Sequence, residues 1–280
     1  MYLPRKLRER IDFFTGQAAD FGFAGAAKLR LVYKYNQLAG ISRLLPQISP
    51  TIRMRPPGLK FDIHMRIGTS DIDVFRQIFI EREYEPLNPR QTVKTIIDCG
   101  ANVGYSSVYF LTKYPQARVI AVEPDPENAA ICGKNLAPYG DRAELLVAAV
   151  WSRPARLTLV RGAYRDGQGW ATQVRPVDPA RDRPEESLPA IDIPALISHL
   201  GCDRVDILKM DIERSEADVF QHPGEWLHRI NNIAIELHDP ECENVFFSAM
   251  QPFRFDSKRS GELTICGDIR LSVGATGAAK

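Results

Sequence analysis

From residue 92 onward the apolar positions follow two alternating rhythms. In TVKTIIDCG, ARVIAVEPD, AELLVAAVW, VDILKMDIE and NIAIELHD the central residues are mostly apolar. In YSSVYFLTKYP, PENAAICGKNLAPYG, IPALISHLG, ADVFQHPGEWL and NVFFSAM apolar residues recur at helical spacing. The first rhythm marks strands buried on both faces; the second marks helices with one face turned inward. Strand and helix repeated in this order predict an α/β fold, a Rossmann-like doubly wound sheet that is mostly parallel, with helices on both faces. FRFDS and ELTICGDIRL predict closing strands, one of them antiparallel. Pro126 near the first turn and Gly140 past the end bound one helix, and Pro223 interrupts another. Ligands of such sheets bind beyond the carboxyl ends of the strands, near the point where strand order reverses.

Upstream the texture differs. Phe61, Ile63, Met65 and Ile67 alternate along LKFDIHMRIG, a strand signal. GTSDIDVFRQIFIEREY follows, a helix carrying Ile72, Phe75, Ile78 and Phe79 on its apolar face and Ser70 or Asp71 as its cap. Residues 59–91 thus open a Rossmann-like domain spanning 59–280. Residues 1–58 read as a helical N-terminal extension, with Arg5, Lys6, Arg8 and Arg10 at its start, a helix in AGAAKLRLVYKYNQLAGISRLL, and Pro46, Pro50, Pro56 and Pro57 breaking the pattern. A structural cap helix is the plainest role, because charge runs are usually solvated faces. A homodimer arm and a peripheral contact of residues 1–45 with anionic lipid are the alternatives. Residues 161–190 form an insertion or lid loop, too rich in Pro, Gly, Asp and Arg and too long to be a simple connection. Its Trp170 is expected to be a packing residue, with stacking on a sugar ring as the alternative, and a disordered surface insertion fits the same composition.

Composition removes several function classes. A net charge of +1 lacks the basic excess expected of a nucleic-acid-binding chain. Cys99, Cys132, Cys202, Cys242 and Cys266 are scattered without a Cys-x-x-Cys pair, which argues against a disulfide framework and a structural zinc site. No run approaches the roughly 18 apolar residues of a membrane span. The opening MYLPRKLRERIDFF lacks the apolar core and cleavage site of a secretory signal. A cytoplasmic protein is expected.

The most informative segment is Thr95–Asp125. Ile96-Ile97-Asp98-Cys99-Gly100-Ala101-Asn102-Val103-Gly104-Tyr105 is an apolar strand feeding a glycine turn that opens a helix. Gly100 and Gly104 allow backbone angles and close approaches barred to other residues. The amides of the helix start can face an anionic group such as a carboxylate. The dinucleotide fingerprint would require glycine at 102 and 105, where Asn102 and Tyr105 stand. No Gly-Lys-Ser/Thr follows the turn either. Glu123 ends the next strand, where an acidic side chain can accept hydrogen bonds from both ribose hydroxyls of an adenosine. Asp98 can receive a methionyl ammonium, directly or through water. The combination points to S-adenosylmethionine, with Asp98, Gly100, Asn102, Gly104, Tyr105, Ser106, Glu123, Pro124, Asp125, Ala149 and Asp211 as its binding set.

Five ordered blocks, GTSDIDVFRQIFIEREY, IIDCGANVGYSS, VIAVEPDPENAAICGKNL, VDILKMDIERSEADVF and IAIELHD, resemble the FkbM family of S-adenosylmethionine-dependent methyltransferases over roughly residues 60–250. The resemblance implies a class I methyltransferase fold and O-methylation, largely of sugar hydroxyls in glycolipids and polysaccharides or of polyketide hydroxyls. Two departures stand out. Where the family usually reads Asp-Val-Glu-Gly-Ala-Glu, this chain has Asp211-Ile212-Glu213-Arg214-Ser215-Glu216, so Arg214 replaces a glycine and is a candidate to face substrate. Ala148-Ala149-Val150 offers no side-chain acceptor for the adenine amino group, which leaves that task to the backbone.

A sugar hydroxyl is a weak nucleophile, so a general base or a metal is expected beside the methyl donor. Lys209 and Asp211 share one face of their strand, and Glu236 and His238 repeat the relation on the next. His238 is the natural base, with an ordinary pKa of about 6.5. Asp211 would orient the hydroxyl or share the base role, and Lys209 would keep Asp211 ionised or stabilise a developing alkoxide. Asp211, Glu236 and His238 also suit a divalent ion such as magnesium or manganese. Met210-Asp211-Ile212-Glu213 stands where amino-directed methyltransferases commonly carry Asn/Asp-Pro-Pro-Tyr, which favours oxygen as the acceptor. A nucleic-acid methyltransferase and a non-catalytic S-adenosylmethionine-binding protein are the competing readings.

Overall fold

The computed structural model describes residues 20–36, 51–160, 173–183 and 187–272, and the chain divides into two compact units, Met1–Glu81 and Arg82–Lys280. In the first unit residues 20–36 form a helix, α1, which buries Ala26, Leu29 and Val32. A hairpin of β1 (Thr51–Met54) and β2 (Ile63–Arg66) follows, then α2 (Asp71–Phe75), which runs into a π-helical turn at Arg76–Ile80. Strand β1 lies within the stretch expected to be a helical extension. Its Thr-Ile-Arg-Met run sits between proline breaks, and its partner is the predicted Ile63/Met65 strand. Ser70 occupies the N-cap of α2 without a side-chain hydrogen bond. Asp71 is buried and accepts from the Arg66 amide at 2.8 Å and its guanidinium at 2.7 Å. The expected cap residue thus locks strand to helix through an ion pair.

The second unit holds the doubly wound sheet. Its seven strands are β3 (Thr95–Cys99), β4 (Arg118–Val122), β5 (Ala143–Leu146), β10 (Ile207–Met210), β11 (Ile233–Glu236), β12 (Phe253–Ser260) and β13 (Leu263–Leu271), in the order β12-β13-β11-β10-β3-β4-β5. The pairs β5–β4–β3–β10–β11 are parallel, and β13 is antiparallel to both its neighbours. This is the mostly parallel, doubly wound arrangement with an antiparallel closing strand that was expected, and the order reverses between β3 and β10. Ile97, Cys99, Ile120, Val122, Leu208, Met210, Ile233 and Ile235 line one sheet face and form one core with α5 (Ile193–Leu200), α6 (Glu216–Gln221) and α7 (Pro240–Met250). The other face meets α3 (Tyr105–Lys113), whose Ser106 and Ser107 hydrogen-bond to Asp98 of β3. Helix α4 (Pro126–Leu136) starts at Pro126 as predicted, with Asp125 accepting from the Glu127 amide at 2.8 Å.

AELLVAAVW is two strands. After β5 the chain leaves the main sheet, and Ala149–Val150 forms β6 of a second sheet, ordered β6-β9-β7-β8, with β7 (Ala155–Val160), β8 (Gln173–Pro176) and β9 (Ser187–Ile191). The expected lid loop therefore contributes β8 and the start of β9. Residues 161–172, including Trp170, and 184–186 lie outside the described residues. NVFFSAM is the second half of a longer helix that begins at Pro240, with Asp239 as its cap.

Candidate active site

The glycine turn leaves β3 at Cys99. The Gly100 and Ala101 amides both donate to the Val122 carbonyl at 2.9 Å, folding the turn back over the end of β4. Gly100 has φ +75°, and a Cβ there would lie 1.7 Å from the Asp211 carbonyl oxygen. Only glycine lets the turn press this closely on the chain leaving β10. Gly104 is also left-handed, and its Cβ would meet the Cys132 sulfur at 2.9 Å. Asn102 takes φ +51°, a conformation that asparagine tolerates better than most residues.

Glu123 is buried at the end of β4 and holds this turn. Its Oε2 accepts from the Asn102 amide at 2.8 Å, and its Oε1 accepts from the Asp125 amide at 2.9 Å and the Asn128 side chain at 3.4 Å. Burial pushes its carboxyl up to about 7 against the pull of those donors. Other members of the expected cofactor set have structural work. Tyr105 is fully buried, so its backbone opens α3 while its ring packs inside. Ser106 donates to Asp98, Asp125 caps α4 after Pro124, and Ala149 lies in the small core of the second sheet with Leu157, Leu188 and Ala190.

Asp98 is wholly buried. Its Oδ2 accepts from Ser106 and Ser107 at 2.6 Å each, and its Oδ1 lies 3.3 Å from Lys209 Nζ. These contacts turn the carboxylate toward α3 and Lys209. Lys209 is equally buried and donates to the Gly100 carbonyl at 2.6 Å and the Cys99 carbonyl at 3.3 Å. Burial alone would lower its pKa, but Asp98, Tyr84 and Asp211 outweigh it and raise the value. Lys209 therefore anchors the glycine turn from below, with Asp211 more distant at 3.8 Å. Tyr84, which the motifs did not single out, is buried against Phe110; burial raises its phenol pKa, and Lys209, Asp98 and Asp211 act on it electrostatically.

Strands β10 and β11 are neighbours, so Asp211 and His238 converge as their spacing predicts. His238 Nε2 lies 3.4–3.6 Å from Glu213, Glu236 and Asp211, and Nδ1 lies 3.4 Å from Glu216. Burial would lower the imidazole pKa, but Glu216 foremost, then Asp211 and Glu236, raise it to about 10. Burial and the Asp211 charge push Glu236 up to about 9. Four carboxyl groups thus surround the imidazole expected to act as the base. Asp211 is the most open carboxylate of the set, with its side chain 33 % exposed. Sequence reasoning assigned no role to Glu213 or Glu216. Glu216 is fully buried at the start of α6 and accepts from the Ile212 amide at 2.7 Å. Its sequence signal is its match to the last glutamate of the family's Asp-Val-Glu-Gly-Ala-Glu pattern, just before the apolar ADVF run. Asp211, Glu216 and His238 offer ligand atoms within 4.8 Å of one another; Glu236, expected in a metal triad, is not in that group.

Arg214 is left-handed at φ +79°, a conformation that favours glycine, and Glu213 before it is also left-handed at φ +54°. The Arg214 guanidinium pairs with Asp239 at 2.6 Å, which ties the turn after β10 to the cap of α7.

The Methyltransferase FkbM domain family matches residues 98–258. The 2-O-methyltransferase NoeI of Sinorhizobium fredii is 28% identical over 188 residues, 63% of this chain and 74% of NoeI. Methyltransferase 1 of Beauveria bassiana is 26% identical over 184 residues, 59% of this chain and 73% of that protein. Among solved structures, the methyltransferase FkbM from Methylobacillus flagellatus KT aligns with a TM-score of 0.44 and 16% identity, covering 68% of this chain and 47% of that one.

Proposed function

Because this chain belongs to the FkbM methyltransferase family, we propose that it transfers the methyl group of S-adenosylmethionine to a hydroxyl of a sugar, as part of a glycan, or of a secondary metabolite, in the cytoplasm. One observation carries this: the adenosine-type cradle of Glu123 and the glycine turn abuts Asp211 and the His238 cluster. The Asp211 amide donates to the Cys99 carbonyl at 3.1 Å, so the two halves share a floor. The relative named a 2-O-methyltransferase supports oxygen as the acceptor.

The sulfonium supplies the methyl group. The chain binds and aligns. Glu123 receives the ribose hydroxyls, and Gly100 and Gly104 bring the backbone against the methionyl part. Lys209 fixes the turn through the Gly100 carbonyl. Asp211, the most open carboxylate, would orient the acceptor hydroxyl and accept its proton, as the methyl carbon passes from sulfur to oxygen. His238 steadies that carboxylate from behind. Alignment of the hydroxyl behind the methyl carbon supplies much of the rate. Calorimetry with S-adenosylmethionine tests the cradle. Mass-spectrometric detection of a 14-dalton gain on oligosaccharide acceptors tests the reaction, and binding without transfer to any hydroxyl acceptor would refute the oxygen assignment.

A second reading rests on the spacing of Asp211, Glu216 and His238. Their oxygen and nitrogen donors suit magnesium or manganese, which would polarise the hydroxyl. Turnover unchanged after chelator treatment would retire it.

A further inference from the structure

Helix α1 carries two apolar faces. Ala26, Leu29 and Val32 are buried, and the helix is held to its own unit by the Phe21–Phe75 ring contact, 5.7 Å between centroids, and by Asn36, which donates to the Thr69 carbonyl at 2.8 Å and accepts from the Gly68 amide at 2.7 Å. Its other face is open. Phe23 is 80% exposed, Leu31 68% and Tyr35 46%, and the exposed Ala27 joins Phe23 and Leu31 in a stripe at four-residue spacing. Such large exposed apolar groups on a docked helix are costly in water and mark an interaction surface.

The charges around the stripe select the partner. Lys28, Arg30 and Lys34 are exposed on the same helix, and at 3.6 residues per turn they flank the apolar stripe on both sides. Residues 1–60 hold 11 Lys and Arg against 3 Asp and Glu, a net of +8, so the remaining 220 residues carry −7 within a total of +1. Positive charge is therefore concentrated at this end of the chain. No helix among the described residues is long and apolar enough to cross a membrane.

We propose that α1 is a docking surface for an anionic lipid bilayer, lying in the interface plane with Phe23, Leu31 and Tyr35 among the acyl chains and Lys28, Arg30 and Lys34 at the headgroups. A helix with aromatic and aliphatic residues on one stripe and cations beside it binds in this manner. A nucleic acid would use the cations but give the apolar stripe no apolar medium to enter. A second copy of this chain would bring a second set of cations against the first.

The test is co-sedimentation of the full chain with vesicles of phosphatidylcholine alone or with phosphatidylglycerol, at low and high salt. Binding to the anionic vesicles is expected, weakened by salt. Substituting Lys28, Arg30 and Lys34 by Gln should weaken it roughly fivefold per cation and on the order of a hundredfold together. Phe23→Ser with Leu31→Ser should weaken it as clearly while leaving the thermal melting curve in place, because both side chains are already in water. No binding to anionic vesicles would overturn the proposal. So would binding that loses its cation dependence, or binding indifferent to Phe23 and Leu31, which would mark a purely electrostatic surface. A wild-type dimer that Phe23→Ser with Leu31→Ser converts to monomer would equally overturn it, assigning the face to a second copy.

Discussion

Glu123 offers a quantitative handle on the cofactor site. Its carboxyl is pushed from an ordinary 4.5 up to about 7 by burial. Only the ionised form can accept hydrogen bonds from both ribose hydroxyls while still holding the Asn102 and Asp125 amides. Affinity for S-adenosylmethionine should therefore rise with pH as the group ionises. If the protonated form binds negligibly, a pKa of about 7 makes the Kd at pH 6 about tenfold larger than at pH 8. The cofactor-free protein should respond in the opposite sense. A folded pKa above the unfolded one gives stability that is complete below about pH 4.5 and lost as pH rises through about 7, on the order of 3 kcal/mol in all. Calorimetry at a series of pH values reads the first effect, and its dependence on buffer ionisation enthalpy reads the proton released on binding. Glu123→Gln should flatten the profile and cost about 2 kcal/mol of affinity, because one oxygen replaces two and an amide donor then faces a backbone amide. A wild-type Kd that is level from pH 6 to 8, or a Glu123→Gln variant retaining the slope, would refute the assignment.

Other consequences follow from the same geometry. Gly100→Ala places a Cβ 1.7 Å from the Asp211 carbonyl and should displace the turn enough to abolish cofactor binding in calorimetry. Lys209→Met leaves Asp98 charged and buried and should cost about 3–5 kcal/mol in chemical denaturation; combined with Asp98→Asn the loss should be well below the sum of the two single changes. Glu216→Gln should lower turnover at least about tenfold, since hydrogen bonds to charged groups are worth about 1.5–3 kcal/mol, while leaving the cofactor Kd within error. Arg214→Gly relieves roughly 1–2 kcal/mol of left-handed strain and loses a half-exposed ion pair worth about 0–1 kcal/mol. The melting temperature should hold or rise while acceptor turnover falls.

What the sequence made legible was the work of strands and turns. An apolar run into glycine gave β3 and its turn because burial on both faces and a positive φ leave few other solutions. Asp211 and His238 could be paired because β10 and β11 are consecutive in the chain and parallel neighbours in the sheet. Two kinds of feature escaped. β6 was merged with β5 because Val147 and Ala148 keep the run apolar while the chain changes sheets, and periodicity does not see which sheet a residue joins. The crowding of His238 escaped because Glu213 and Glu216 are brought in by a turn with two left-handed residues, neither of them glycine. A lone histidine at a strand end shows nothing of the carboxyl groups around it until they are counted in space.

The floor between the two halves explains why their residues should not behave alike under substitution. Glu123 holds the glycine turn, on the side proposed for the cofactor, and Glu216 contacts His238, on the side proposed for the acceptor. Lys209 and the Cys99 carbonyl lie between, bonded at once to the turn and to the chain leaving β10. A change at Glu123 should therefore be read in cofactor affinity rather than turnover, and one at Glu216 in turnover rather than affinity. A change at Lys209 moves the Gly100 carbonyl and the Asp211 backbone together, so it must appear in both. Lys209 sits where sequence spacing suggested a catalytic group, but every short contact it makes is to the backbone of the turn or to Asp98. Its proposed part in the reaction is to hold the glycine turn and the Asp211 backbone in register.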